Sequence, residues 1–118
     1  MVSLRDETIS NYEDRLRSLL KDLNPHLQED GIEYHPHYHS ISAVKDGRVF
    51  AFYGEFGIAL KLSAPVLARL YIENHAAPLR HRNSGLIRKG FGILSDRVLS
   101  DKNRSKRLLE HSMYYTGL

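Results

Sequence analysis

The spacing of hydrophobic residues changes once near the start of the chain, and this change constrains the fold strongly. Up to Leu23, apolar side chains recur every three or four positions with charged residues between them. That spacing predicts an amphipathic helix over about residues 4–23. Ser3 and Asp6 resemble a capping pair at its start, and Asn24-Pro25 should end it. From Ile32 the spacing becomes two, which is typical of strands with one buried face. The chain therefore combines a leading helix with a sheet.

Three short segments after the change are rich in β-branched and aromatic residues, and turn residues separate them. They are Ser40–Val44, Arg48–Tyr53 and Gly57–Leu62. Asp46-Gly47 favours a hairpin turn, since both residues tolerate the positive φ angles that such turns need. We expect three sequential antiparallel strands.

The second of these strands carries three aromatic residues, Phe50, Phe52 and Tyr53. Strict alternation predicts that Phe50 and Phe52 lie on one face of the sheet. Val49, Ala51 and Tyr53 would then occupy the other face. We expect these aromatic side chains to fill the core.

The remainder of the chain predicts two more helices and one further strand region. Ser63 is a candidate N-cap for a helix that ends near Asn74, and Ser100-Asp101 should cap a last helix. Between them, Pro78–Gly85 is polar and turn-rich, and residues 86–94 predict a strand or a bent pair. The predicted fold is one α+β domain over residues 1–118, with flanking helices on an antiparallel sheet in the order α-βββ-α-β(β)-α.

Several of these segments together resemble the TfoX amino-terminal domain family. They are the run Lys45–Phe52 (KDGRVFAF), Ile58–Leu62 (IALKL), Ala77–Leu79 (APL), Ile87–Leu94 (IRKGFGIL) and Leu108–Tyr115 (LLEHSMYY). The similarity covers roughly residues 40–118. At the place of the family's Met-Phe-Gly-Gly-like turn, this chain has Tyr34–Ser40 (YHPHYHS), so it would be a divergent member.

The resemblance implies a small secretion-chaperone-like fold, found alone or ahead of a DNA-associated domain in competence regulators. It implies a regulatory role and transfers no catalytic, cofactor or metal residue to this chain.

Composition limits the kinds of chemical site that the chain can contain and indicates its cellular location. The chain has no cysteine, which excludes disulfides, thiolate metal sites and cysteine nucleophiles. The first residues turn charged at once and no apolar run approaches the length of a membrane span, so we expect a cytoplasmic protein without membrane contact. The glycines form no phosphate-binding or dinucleotide motif, and we expect no cofactor.

Basic residues concentrate in the last third of the chain. Residues 80–118 carry nine Lys and Arg against three Asp and Glu, whereas residues 1–79 carry eight against eleven. The candidates for contact with nucleic acid or an acidic partner are Arg88, Lys89, Lys102, Arg104, Lys106 and Arg107. No known nucleic-acid-binding motif accompanies them, so a solvated helix face is the favoured interpretation.

His35, His37 and His39 form the other candidate site, a metal site. In an extended segment they would share one face, and imidazoles ligate zinc, nickel or copper. Neighbouring same-face side chains on a strand lie about 7 Å apart, so one ion could take all three only if the chain bends. A polar edge or loop is the favoured alternative.

No arrangement of residues in the sequence points to catalysis, so we expect a protein that is not an enzyme. The leading hypothesis is a regulatory or scaffolding domain that acts through protein–protein contacts, with a homodimer among the expected forms. A nucleic-acid-associated protein and a metal-binding protein are the two alternatives.

Overall fold

The computed structural model describes residues 4–27, 29–37, 39–80, 85 and 87–115. Within these residues the chain forms four helices and six strands. In chain order they are α1 (Leu4–Leu23), β1 (Ile32–His37), β2 (Ser40–Lys45), β3 (Arg48–Gly54), β4 (Gly57–Lys61), α2 (Ala64–Ile72), β5 (Ala76–Arg80), β6 (Ile87–Leu94), α3 (Asp96–Ser100) and α4 (Lys102–Tyr114).

The strands form one antiparallel sheet in the order β1-β2-β3-β4-β6-β5. Tight turns join β2 to β3 and β3 to β4. Asp46 and Gly47 have φ angles of 52° and 78°, which is the backbone conformation predicted for the β2–β3 hairpin. The predicted α+β class and antiparallel sheet with flanking helices are therefore confirmed.

The predicted leading helix is confirmed, since α1 begins at Leu4 and ends at Leu23. Its buried side chains, Tyr12, Leu16, Leu20 and Leu23, recur every three or four residues and enter the main core. Ser3, which we considered for the start of this helix, lies outside the described residues.

One face of the sheet carries the main core. All four helices contribute side chains to this core, and the strands supply the residues that face them. The buried strand residues of this core are Ile41, Ala43, Phe50, Ala51, Ile58, Leu60 and Leu94. A smaller cluster of Phe52, Ala59, Leu79 and Phe91 lies on the opposite face, and all its members belong to strands.

The prediction that Phe50 and Phe52 share one face is wrong. Ala43 pairs with Ala51, but Val44 pairs with Val49, so Phe50 is an extra residue in β3. Such a bulge shifts the alternation by one position. Phe50 therefore joins Ala51 in the main core, while Phe52 belongs to the smaller cluster together with Val49.

Two strands and one helix were not predicted. β1 precedes the first predicted strand, which begins at Ser40, and pairs with it. β5 includes Pro78, from a segment for which the sequence predicted turns. β5 is an edge strand, where a residue without an N–H is tolerated. The end of the chain forms two helices, because the short α3 precedes α4.

Candidate functional site

A cleft of about 470 Å³ lies between α2 and α4 and combines apolar and cationic walls. Val66, Leu70 and Leu108 form its apolar part, with Pro65 beside them. The polar part consists of Arg69 from α2 and of Arg104, Arg107 and His111 from α4. The volume is within the range typical of ligand sites in proteins.

Helical spacing explains why these side chains meet. Arg107 and Leu108 follow Arg104 by three and four positions, and His111 follows them by four and three, which places all four side chains on one side of α4. The side chain of Asp101 accepts a hydrogen bond from the backbone N–H of Arg104 (3.1 Å) and fixes where this helix begins. Arg104, Arg107 and His111 therefore follow one another along the wall of the cleft that α4 forms.

Arg104 is held by an acidic side chain at the end of α2. One nitrogen of its guanidinium donates to Oε2 of Glu73 at 3.0 Å, and the Arg104 side chain is 27% exposed. Arg69 Nε and His75 Nε2 lie 3.9 Å and 3.7 Å from the same carboxylate. The hydrogen bond from Arg104 is the main cause that lowers the pKa of Glu73 below its ordinary value.

His111 connects the two helices of the cleft. Its Nε2 accepts a hydrogen bond from the backbone N–H of Ser63, the N-cap residue of α2, at 3.1 Å. Nε2 can accept only in the neutral imidazole, so the ring proton is on Nδ1. The ring also stacks on Tyr115, with centroids 5.1 Å apart and an angle of 13° between the planes.

The predicted basic residues divide among different surfaces. Arg104 and Arg107 lie together in the cleft, whereas Lys102 pairs with Asp22 of α1. Arg88 projects over the ring of Phe52 at 4.5 Å, on the opposite face of the sheet. Two further candidates are on the surface, Lys89 exposed on β6 and Lys106 half-buried on α4.

The sequence-based interpretation missed Arg69, Glu73 and His111 as parts of this site. His111 could have been found, because it continues the spacing of Arg104 and Arg107 along one helix face. Arg69 and Glu73 give no such signal, since they belong to another helix and meet α4 only after packing.

The three histidines of the candidate metal site do not lie on one strand. β1 ends at His37, and His39 is in the following turn. His35 is engaged by its neighbour, with Nε2 of the ring 3.1 Å from Oε2 of Glu33. Among the described residues, no group of three or more His, Asp or Glu side chains is arranged to hold a metal ion. The side chain of His37 is not among those described, so metal binding stays a prediction.

Two further observations lie outside the cleft. Of the helices described, none has the length and apolar character needed to cross a membrane. Comparisons of the chain with models of protein families, with curated proteins and with solved structures found no match. The resemblance to the TfoX amino-terminal domain therefore stays a prediction.

Proposed function

We propose that this chain is a non-enzymatic regulatory or scaffolding domain of the cytoplasm, which acts by binding a protein partner in the cleft between α2 and α4. A role of this kind is also what the resemblance to the TfoX amino-terminal domain implies. One observation carries the proposal. Three arginines line a single cleft together with apolar side chains, and two of them, Arg69 and Arg107, are exposed.

This combination is typical of protein interfaces. Apolar side chains at the centre supply the hydrophobic contribution to binding, while arginine is enriched where partners meet. Pro65 and Val66, above the buried Leu70 and Leu108, could receive an apolar side chain of a partner. The arginines would then fix its orientation through charged hydrogen bonds.

The alternative, a nucleic-acid-associated protein, receives less support from the placement of the basic residues. Nucleic-acid binding through phosphates needs several cations along one surface. Here Arg104 forms an ion pair with Glu73, and Lys102 forms one with Asp22. Arg88 lies on the other side of the sheet. The cleft offers a few cations around an apolar centre instead.

Affinity capture from native lysate tests the proposal when the cleft is varied. The tag-free protein is coupled to beads, and captured molecules are identified by mass spectrometry with and without nuclease. A protein partner should survive nuclease treatment, and Arg107→Glu should abolish its capture. Arg97→Glu makes the same change of charge on the exposed surface of α3 and should leave capture intact.

Two results would contradict the proposal. One is capture that depends equally on Arg97 and Arg107, since the cleft would then have no special role. The other is recovery of nucleic acid alone, lost with nuclease or moderate salt, which would favour the nucleic-acid alternative. Light scattering on the free protein identifies the case in which the partner is a second copy of the chain.

A further inference from the structure

The charges that line the α2–α4 cleft are not balanced within the described part of the chain. Arg69, Arg104 and Arg107 bring three positive charges to the cleft. Glu73 is the acidic group that pairs with Arg69 and Arg104, and no ion pair of Arg107 is found among the described residues. The cleft therefore has a net positive charge, which favours an acidic occupant.

Glu73 is already paired with Arg104, one of the cationic groups that such an occupant would contact. Its carboxylate contacts Arg104 at 3.0 Å from the C-cap position of α2, next to the cleft. The guanidinium of Arg104 has five N–H donors in a planar arrangement, and a carboxylate of a partner can approach in the way that Glu73 does. A partner's carboxylate and Glu73 would compete for the same donors.

The apolar part of the cleft adds a second requirement. Val66, Leu70 and Leu108 line the same cleft as the arginines. Leu70 and Leu108 are buried, so Val66 and Pro65 supply most of the accessible apolar surface, which an ion without apolar groups would leave uncovered. An occupant that matches both parts carries carboxylates close to an apolar side chain. A protein segment with neighbouring acidic and aliphatic residues has this chemistry.

We infer that the partner binds through an acidic protein segment with an apolar anchor, and that Glu73 acts as an internal competitor for Arg104. The inference rests on the proposed function, because it specifies the chemistry of the partner at the same cleft. Glu73 holds Arg104 in the free protein and is displaced by a carboxylate of the bound segment. The net contribution of an exposed ion pair is small, so this competition moderates binding and does not prevent it.

Binding of a synthetic peptide tests this inference directly. The probe is a fluorescent peptide in which glutamate and leucine alternate, and fluorescence anisotropy reports its affinity for the full chain. The same peptide with glutamine for glutamate is the neutral control, and a single-stranded oligonucleotide is the second probe. We expect the acidic peptide to bind, the neutral peptide to bind much more weakly, and Arg107→Gln to reduce the affinity for the acidic peptide.

The Glu73→Gln variant tests the competition. Removing the charge of Glu73 should raise the affinity for the acidic peptide about two- to five-fold, the range that corresponds to an exposed ion pair. Glu55→Gln makes the same change of net charge in the β3–β4 turn and should leave the affinity nearly unchanged. NMR shift changes should locate the peptide between α2 and α4.

Different experimental results would overturn the inference and the proposed function. Equal affinities of wild type and Glu73→Gln, with the peptide bound in the cleft, would overturn the competition. Binding of the neutral peptide as tightly as the acidic one, or tighter binding of the oligonucleotide, would overturn the acidic segment. Capture of the native partner that is unaffected by Arg107→Glu would instead remove the proposed function.

Discussion

The hydroxyl of Ser112 on α4 donates a hydrogen bond of 2.6 Å to the backbone carbonyl of Phe50, the bulge residue of β3. Both residues are buried, and 62 positions separate them in the sequence. A bulge disrupts the strand ladder locally, and a buried carbonyl without a partner would be costly. Ser112 therefore ties α4, which carries most of the cationic side of the cleft, to an irregular point of the sheet.

Replacement of Ser112 by alanine should destabilise the fold. The Phe50 carbonyl would lose this bond in a buried site, so we expect the free energy of unfolding to fall by about 1–3 kcal/mol. Ser100→Ala is the control, because the Ser100 hydroxyl donates to the carbonyl of Arg97 in an exposed position. Urea unfolding compares the two variants, and equal losses would contradict the role given to Ser112.

The contact between His111 and Ser63 predicts a local effect at the start of α2. His111→Phe keeps a ring that can stack on Tyr115 but removes the acceptor, and should cost about 0.5–1.5 kcal/mol. Hydrogen exchange at the Ser63 amide should become faster in this variant. His111→Gln can still offer an acceptor and should retain more of the protection. Unchanged exchange at Ser63 in both variants would show that the bond does not form in solution.

The ion pair between Arg104 and Glu73 predicts a change of ionisation. Arg104→Gln should raise the pKa of Glu73 toward its ordinary value, because the guanidinium is the main cause that lowers it. NMR titration of the Glu73 carboxyl carbon measures this, with Arg97→Gln as the control. A Glu73 pKa that stays low without Arg104 would contradict the assigned cause.

The same ion pair has a defined dependence on pH. The pKa of Glu73 is lower in the folded than in the unfolded chain, so the folded state favours the carboxylate. The stabilising contribution is therefore present above the unfolded pKa and is lost as the pH falls through the folded pKa. In Arg104→Gln, the free energy of unfolding should depend less on pH over this acidic range.

We expect that Tyr34 can be replaced by phenylalanine without a loss of folding stability. Its hydroxyl oxygen is buried and has no hydrogen-bond partner in the part of the chain that the structure describes, and burial raises its pKa. Tyr34→Phe should change the free energy of unfolding by less than about 0.5 kcal/mol or stabilise the fold. Tyr34→Leu also removes the ring beneath the Arg17 guanidinium, 4.2 Å away, and should cost about 0.5–1 kcal/mol more. Equal stability of the two variants would contradict this comparison.

Local patterns predicted the parts of the fold that depend on local chemistry. The helix over residues 4–23, the Asp46-Gly47 turn and the cap at Asp101 were all predicted, because each depends on residues close in sequence. The bulge at Phe50 was missed, since nothing in the run Arg48–Tyr53 interrupts the alternation. Its position depends on pairing with β2 and on Ser112.

The cleft could be predicted only in part, for a similar reason. Arg104 and Arg107 were candidates because their charges and spacing are visible in the sequence. Their meeting with Arg69 and Glu73 depends on how α2 and α4 pack over the sheet, which no local pattern specifies. The same packing separates Arg88 from the other candidates.

Site-specific photocrosslinking in cells tests the proposed contact site most directly. A photoreactive benzoylphenylalanine replaces Pro65 beside the cleft, or Glu55 in the β3–β4 turn as the control, since both positions are exposed. We predict a protein adduct from position 65 that resists nuclease and disappears when Arg107→Glu is added, with no such adduct from position 55. The same protein adduct from position 55, or from position 65 regardless of Arg107, would contradict binding in the cleft.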